Sequence, residues 1–190
     1  KSRYDDDINL FEGLWHLAQY AILMALLLAA PWLLGTYYLG ELTAVLVWSL
    51  AGLGLMLISG HTGQVSLGHA AFMAIGAFTN LALMLRGWHF LPALLASAVN
   101  SGVIGAIISR PILRMSGIYL AIATLALSII IEDVAIMAEP ITGGVAGVFA
   151  PPIAMFGMEI DRYATPEAFY YLCLAVLVLV TLGYLNLLRS

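Results

Sequence analysis

The polar residues that could do chemistry in this sequence are concentrated in the segment Gly60–His69. Three glycines, two histidines and three uncharged hydrogen-bonding side chains stand there between two long apolar runs. Irregular backbone at membrane depth survives only where it is buried in protein or lines a wet cavity. Broken helices of this kind bind the polar groups of transported solutes. The segment therefore has two interpretations, a solute-contacting break between helices and an ordinary polar turn.

Other chemistries lack the residues that they need. His61 and His69 have no third ligand nearby and Cys173 is the lone cysteine, so we predict no metal site and no cofactor. The glycine cluster Thr142–Gly147 has no Gly-Lys-Ser/Thr ending, and Lys1 is the only lysine, which excludes a phosphate-binding loop. No nucleophile, base and oxyanion site assemble either. We therefore predict that the chain is not an enzyme and does not hydrolyse ATP itself.

The composition places these polar segments in a membrane protein. Hydrophobic residues make up 63% of the 190 positions and charged residues 9%, whereas a soluble domain carries about 25% charged residues. A helix needs about 20 mostly apolar residues to cross the hydrocarbon core. The runs here are apolar on every face, unlike the alternating strands of a barrel. The predicted fold class is therefore all-α, a polytopic transmembrane helical bundle.

We predict about six spans within one transmembrane domain, 1–190, and no soluble domain. The predicted spans are about Leu17–Leu34, Leu42–Ser59, Ala70–Leu85, Phe90–Ser109, Gly117–Met137 and Ala168–Leu188. The third is short for a full crossing, so it either crosses or re-enters. The largest predicted extramembrane surface is the loop Ala138–Glu167, which contains four prolines.

The basic residues predict the orientation. With the amino terminus in the cytoplasm, five basic residues face the cytoplasm and two, Arg86 and Arg162, face the other side. This asymmetry agrees with the positive-inside bias. A re-entrant third span would invert everything after it. In the predicted orientation Glu132 and Asp133 lie near the outer end of the fifth span, where ionisable residues are candidates for the mouth of a pathway.

Three blocks of the sequence resemble the LivM-type permease subunits of the branched-chain amino acid ABC importer family. The first block is Gly60–Phe72, with the run His-Thr-Gly-Gln-Val-Ser-Leu-Gly-His-Ala-Ala-Phe. The second is Arg114–Leu125, and the third is Ile141–Gly144 followed by Gly147. The blocks stand in the order and the approximate spacing of that family, and the resemblance covers most of the chain.

The resemblance implies a transport subunit of the bacterial inner membrane. Its expected partners are a second permease subunit, two cytoplasmic ATP-binding subunits and an extracytoplasmic substrate-binding protein, with membrane lipid around them and no nucleic acid. Alternating access, driven by ATP hydrolysis on the separate subunits, would move leucine, isoleucine, valine or a related solute. Residues of the three blocks become candidates for the substrate pathway or gate, with helix packing as their competing role: Thr62, Gly63, Gln64, Ser66, Gly68, His69, Tyr119, Thr124, Thr142, Gly143 and Gly144.

Members of that family continue beyond the length of this chain. The cytoplasmic loop that grips the ATPase is expected to begin just after Asn186–Ser190, and the first residue here is Lys1 rather than methionine. We therefore expect this sequence to be the N-terminal part of a longer subunit.

Alternatives for substrate and mechanism stay open. The neutral polar side chains of the blocks suit a zwitterion or an uncharged amide alike, so an ABC permease for urea or short amides is the nearest alternative. A passive channel would transport without ATP. A secondary carrier would need an ion-coupling site, usually a buried acid, and no predicted span carries one near mid-bilayer. An intramembrane enzyme lacks the catalytic residues named above.

Overall fold

Long helices form at all six predicted spans in the computed structural model, which describes residues 14–61, 63, 66–112, 114–115, 117–155 and 158–189. This confirms the predicted all-helical bundle. A π-helical turn over Leu57–His61 extends the second helix. The long helices are α1 Leu14–Leu33, α2 Thr36–Met56, α3 His69–Leu85, α4 Phe90–Ile112, α5 Ile118–Met137 and α7 Pro166–Arg189.

The six helices differ in how well they match a bilayer. In the described part of the chain, four helices are long and apolar enough to cross a membrane, and two more, Ala18–Leu33 and His69–Leu85, are apolar but shorter. The third helix, α3, is uninterrupted over 17 residues. At a rise of about 1.5 Å per residue it spans about 26 Å, slightly less than the roughly 30 Å hydrocarbon core. The short third span predicted from the sequence is therefore one continuous helix.

The segment between α5 and α7 is more ordered than the loop that the sequence predicts. It contains the short helix α6 Glu139–Thr142 and a 3-10 turn over Gly144–Ala146. Strands β1 Ile153–Met155 and β2 Met158–Ile160 then pair antiparallel. The sequence analysis missed this hairpin because three-residue strands are too short to show a period-2 pattern. Since β1 contacts α4 and β2 contacts α7, the hairpin joins two helix groups.

The first helix group, which we call the anchor group, consists of α1, α2 and α7. Large side chains fill the space between its helices. Tyr170 of α7 is fully buried and Leu39 of α2 is 2% exposed. The Tyr170 hydroxyl donates to the Leu27 carbonyl at 2.8 Å and the Tyr171 hydroxyl to the Leu28 carbonyl at 3.0 Å. These bonds give the tyrosines polar partners that a lipid environment does not supply.

The second helix group, which we call the groove group, consists of α3, α4 and α5. Its helices approach one another through small residues such as Ala71 and Ala93, which are 3% and 0% exposed. Polar bonds join α3 to α4, since the Ser101 hydroxyl donates to the Phe72 carbonyl at 3.0 Å. Small residues and interhelical hydrogen bonds are the usual means of helix association in lipid. The predicted site residues that the structure describes belong to this group or to the segments beside it.

Candidate functional site

The described residues of the segment between α2 and α3, Gly63 and 66–68, lie outside both helices and form a junction, which agrees with the solute-contacting break and with the polar turn alike. Thr62 and Gln64, two of the predicted site residues, lie outside the described residues. Gly63 is exposed and has φ +63°, a conformation that favours glycine. Ser66 accepts a long hydrogen bond from the Gly68 amide at 3.4 Å. This bond is local, since both of its partners belong to the junction.

Side chains of α5 bond to the described backbone of the junction at Leu67. The Leu67 amide donates to the Thr124 hydroxyl at 3.0 Å, and the Ser128 hydroxyl donates to the Leu67 carbonyl at 3.2 Å. The Thr124 hydroxyl in turn donates to the Ala121 carbonyl at 3.0 Å. Irregular backbone inside a membrane domain needs such partners. The sequence analysis missed Ser128, although its spacing of four residues from Thr124 places both on one face of α5.

Gly68 permits the closest contact of the junction. It is buried at the start of α3. A Cβ atom at this position would lie 3.0 Å from the Thr124 carbonyl oxygen and 3.2 Å from the Thr124 Cβ. Because this spacing is tighter than ordinary contacts, a larger residue would push α3 away from α5. Gly68 and Thr124, which are 56 residues apart in sequence, are thus brought together by the fold.

His69 lies on the other side of the same helix start. Its imidazole packs against Gly54 of α2, where a Cβ atom would come within 2.9 Å of the His69 Cε1. His69 lines a cavity of about 970 Å³ between the end of α2, α3 and α4, and Pro151 is also among its lining residues. The beginning of α3 is therefore wedged between α2 and α5 by glycine contacts on both sides.

Of the predicted residues, Thr142 ends α6, and Gly143 and Gly144 form the turn that follows it. The Thr142 side chain is 4% exposed, and its hydroxyl oxygen lies 2.6 Å from the Ala135 carbonyl and 3.0 Å from the Ala138 carbonyl. It also accepts the Gly144 amide at 3.1 Å. Gly143 and Gly144 have φ +74° and +59°. The hydroxyl thus holds the turn against the end of α5.

Tyr119 stands apart from both clusters. It is 72% exposed on α5 and lines a shallow cavity with Arg114 and Ile122. Five residues correspond to about 140° around a helix, so Tyr119 and Thr124 point to different sides of α5. The structure does not bring Tyr119 to the junction.

A cavity of about 450 Å³ connects the junction with the outer turn. It runs between α3 and α5, with Ala71 and Ser128 near the junction and Gly144 near the turn. Glu132, which the sequence suggests as part of a pathway mouth, lines it and is exposed. The cavity between α3 and α5 is therefore lined by residues near both predicted clusters and by the acidic side chain of Glu132.

Comparison with known proteins identifies two relatives. Residues 37–190 match the family described as branched-chain amino acid transport system / permease component. The high-affinity branched-chain amino acid transport system permease protein LivM of Salmonella typhimurium is 35% identical over 152 residues, which cover 76% of this chain and 35% of that protein. The protein of the same name from Escherichia coli is 32% identical over 145 residues, covering 75% of this chain and 34% of that protein.

The alignments cover about three quarters of this chain but a smaller share of each relative. The chain spans about a third of the length of the curated relatives that it matches. No solved structure matches it.

Proposed function

The chain belongs to the family of branched-chain amino acid transport permease components, and from this premise we propose that it forms part of the translocation pathway of an ATP-driven importer for branched-chain amino acids. The names of the two relatives support the substrate class. The apolar helices identify a multi-pass membrane protein, and we propose the bacterial inner membrane as its location. All 190 residues would form one transmembrane domain.

One observation carries the proposal, the convergence of the three sequence blocks on α5. The first block meets the second at the bond from the Leu67 amide to the Thr124 hydroxyl and at the contact of Gly68 with Thr124. The third block closes the other end of α5 through Thr142. Segments that are distant in sequence thus line one side of one helix. This arrangement suits a transport path along α3 and α5 better than it suits three unrelated turns.

In the proposed mechanism the junction is a gate. Thr62, Gly63, Gln64, Ser66, Gly68 and His69 would move with the start of α3, and Thr124 would be the position on α5 that α3 closes against. Thr142, Gly143 and Gly144 would hold the outer end. Tyr119 would face a neighbouring subunit. Alternating access requires two arrangements of such elements, and a contact between small residues can open without displacing large side chains.

The proposed assembly needs further subunits. A second permease subunit would complete the pathway, two cytoplasmic ATP-binding subunits would drive it, and an extracytoplasmic binding protein would deliver the substrate.

With the amino terminus in the cytoplasm, Arg86 and Arg162 face outward. Single cysteines at positions 110 and 162 test this orientation, because an impermeant thiol reagent applied outside should label only position 162.

The decisive experiment is uptake of radiolabelled leucine by vesicles that contain the permease subunit at full length with its partners. Uptake that requires both ATP and the binding protein supports the proposal. Leucine uptake that is indifferent to ATP would identify a channel or carrier instead. ATP-dependent uptake of urea or a short amide without leucine uptake would preserve the mechanism and change the substrate.

A further inference from the structure

Another cavity beside the helices of the groove group is lined by polar side chains that are not part of the proposed gate. It has a volume of about 520 Å³ and lies between α3, α4 and α5, on the opposite flank of α3 from the cavity of His69. Its walls are apolar, with Phe78, Ile104 and Val134 among them. Arg86 lines one end and Asn100 lies further in. We call this cavity the Arg86 groove.

The polar residues of the Arg86 groove differ in whether their hydrogen-bonding groups already have partners within the protein. Thr142 also lines it, but its hydroxyl is occupied by the outer turn. Asn100 donates one side-chain N–H to the Thr79 hydroxyl at 2.9 Å. Within the described ranges, its side-chain carbonyl accepts no hydrogen bond and the Arg86 guanidinium forms no ion pair. These two exposed side chains therefore have capacity for a ligand.

Asn100 lies deep in the proposed span, where polar side chains are unusual. It lies ten residues into α4, about 15 Å from the helix start, and so well inside the hydrocarbon layer. A polar side chain at such a depth faces a bundle interior or a wet cavity rather than lipid, and asparagine commonly bonds across helices there, as Asn100 does to Thr79. Thr79 and Arg86 are separated by two turns of α3, about 10 Å. The groove thus has a cationic mouth and a polar interior with apolar walls between them.

We propose that the Arg86 groove is an outer subsite for the substrate, in which Arg86 binds the α-carboxylate and the apolar walls contact the aliphatic side chain. The planar guanidinium can form two parallel bonds to a carboxylate. Asn100 binds the polar head of the substrate once it has passed the mouth. The volume lies within the range of small-molecule sites, roughly 300–1,000 Å³. This subsite depends on the function and orientation proposed above.

A purely structural role for Arg86 is the competing explanation. A cation at the C-terminus of a helix stabilises the helix dipole, and a long side chain there can reach the headgroup layer. Neither role depends on a carboxylate in the substrate. The experiment must therefore measure recognition of the carboxylate and not only the loss of activity.

The first test is uptake of leucine by the assembled transporter with Arg86→Gln, Arg86→Lys and the control Arg162→Gln. The control removes the same charge from the same proposed face, at an exposed position outside the groove. Arg86→Gln should raise KM roughly tenfold or more with little change in kcat, because loss of a charge-assisted hydrogen bond weakens binding by that order. Arg86→Lys should retain part of the affinity.

Comparison of leucine with leucinamide, which lacks the carboxylate, supplies the specific readout. It is measured without the binding protein, as protection of a cysteine at position 100 from a thiol reagent, so that the permease subunits alone select the ligand. Leucine should protect this cysteine far more strongly than leucinamide does, and Arg86→Gln should remove most of this difference. Equal effects of Arg86→Gln and Arg162→Gln, or an unchanged preference for leucine, would overturn the subsite.

The second test does not depend on transport. Cysteines are introduced at Asn100 or Ser101 in an otherwise cysteine-free subunit of the assembled transporter. Ser101 is the control because it lies beside Asn100 in sequence but lines the cavity on the opposite flank. Leucine should protect Cys at position 100 from a thiol reagent and leave position 101 reactive. Protection of position 101 alone, or of neither, would contradict the proposal.

The two proposals fail in different ways. If uptake by the wild-type assembly is independent of ATP or of the binding protein, the importer mechanism fails. If that uptake behaves as proposed but position 100 is never protected and Arg86→Gln retains normal KM, only the subsite fails.

Discussion

The anchor group and the groove group are held together by different kinds of contact. In the anchor group, Tyr170 and Leu39 fill the space between α2 and α7, and the tyrosine hydroxyl is bonded to α1. In the groove group, Gly68 lies against the Thr124 carbonyl and Cβ, and the Thr124 hydroxyl accepts a hydrogen bond from the Leu67 amide. Interdigitated large side chains resist relative movement, whereas small residues let helices approach closely. We infer that the anchor group fixes the fold and the groove group carries the transport path.

The largest expected effect is on the stability of the anchor group. Tyr170→Ala removes a side chain with no exposed surface and leaves a cavity, which should lower the free energy of unfolding by about 3–5 kcal/mol. Thermal unfolding of the full-length subunit in detergent, followed by helical circular dichroism, measures this. Tyr20→Ala is the control because Tyr20 is 50% exposed. Equal losses for both variants would show that the anchor core is not where stability resides.

A substitution in the outer turn beside the groove group should lower stability nearly as much, because the backbone conformation there favours glycine. Gly143 has φ +74°, and a Cβ atom there would collide with the Gly147 carbonyl. Gly143→Ala should therefore cost about 2 kcal/mol or more. Gly40→Ala, in α2 with open space around it, should be neutral or slightly stabilising since alanine favours a helix. The same unfolding measurement compares them, and a tolerated Gly143→Ala would refute the strained turn.

The gate should respond in transport more than in stability. Gly68→Ala places a methyl group against the Thr124 backbone, which should cost about 1–2 kcal/mol in stability. If the contact is a gate, ATP-dependent leucine uptake should fall further, roughly tenfold. Gly76→Ala on the same helix meets nothing within 4 Å and is the matched control. Equal uptake by the two variants, at equal amounts of subunit, would remove Gly68 from the gate.

The smallest expected effect concerns one hydroxyl. Thr124→Val preserves the shape of the side chain but removes the acceptor of the Leu67 amide, which should cost about 1 kcal/mol. In Thr181→Val, the control in the anchor group, the lost hydroxyl bonds to the Leu177 carbonyl of its own helix and, among the described residues, to no other helix. Hydrogen exchange at the Leu67 amide should increase in the first variant alone. Unchanged exchange there would mean that the junction does not depend on α5.

The helices were predictable because each is a long apolar run. The predicted end points differ most at α2, which begins at Thr36 rather than Leu42. The predicted span leaves out the polar and aromatic residues Thr36-Tyr37-Tyr38, which the helix includes; side chains of this kind are common near membrane interfaces. The hairpin formed by β1 and β2 was not predicted, since its register depends on a pairing too short to leave a sequence pattern.

The candidate site was predictable only in part. The glycine-rich blocks marked the junction and the outer turn, because glycine and hydroxyl residues are unusual between apolar runs. Ser128, Arg86 and Asn100 gave no local signal, since each is a single polar residue whose role depends on its neighbours in space. The bond of Ser128 and the cavity that Arg86 and Asn100 line depend on which faces of the helices pack together.

The sequence by itself determined that this protein is a bundle of apolar helices in a membrane, because the energy of burying charge and unpaired backbone in lipid depends on composition and run length. It also identified the segments that break the helices. Only the tertiary structure decided that Leu67 bonds to Thr124 while Tyr119 points elsewhere. Those contacts depend on the packing of helices against one another, and a single helix carries no record of its partner.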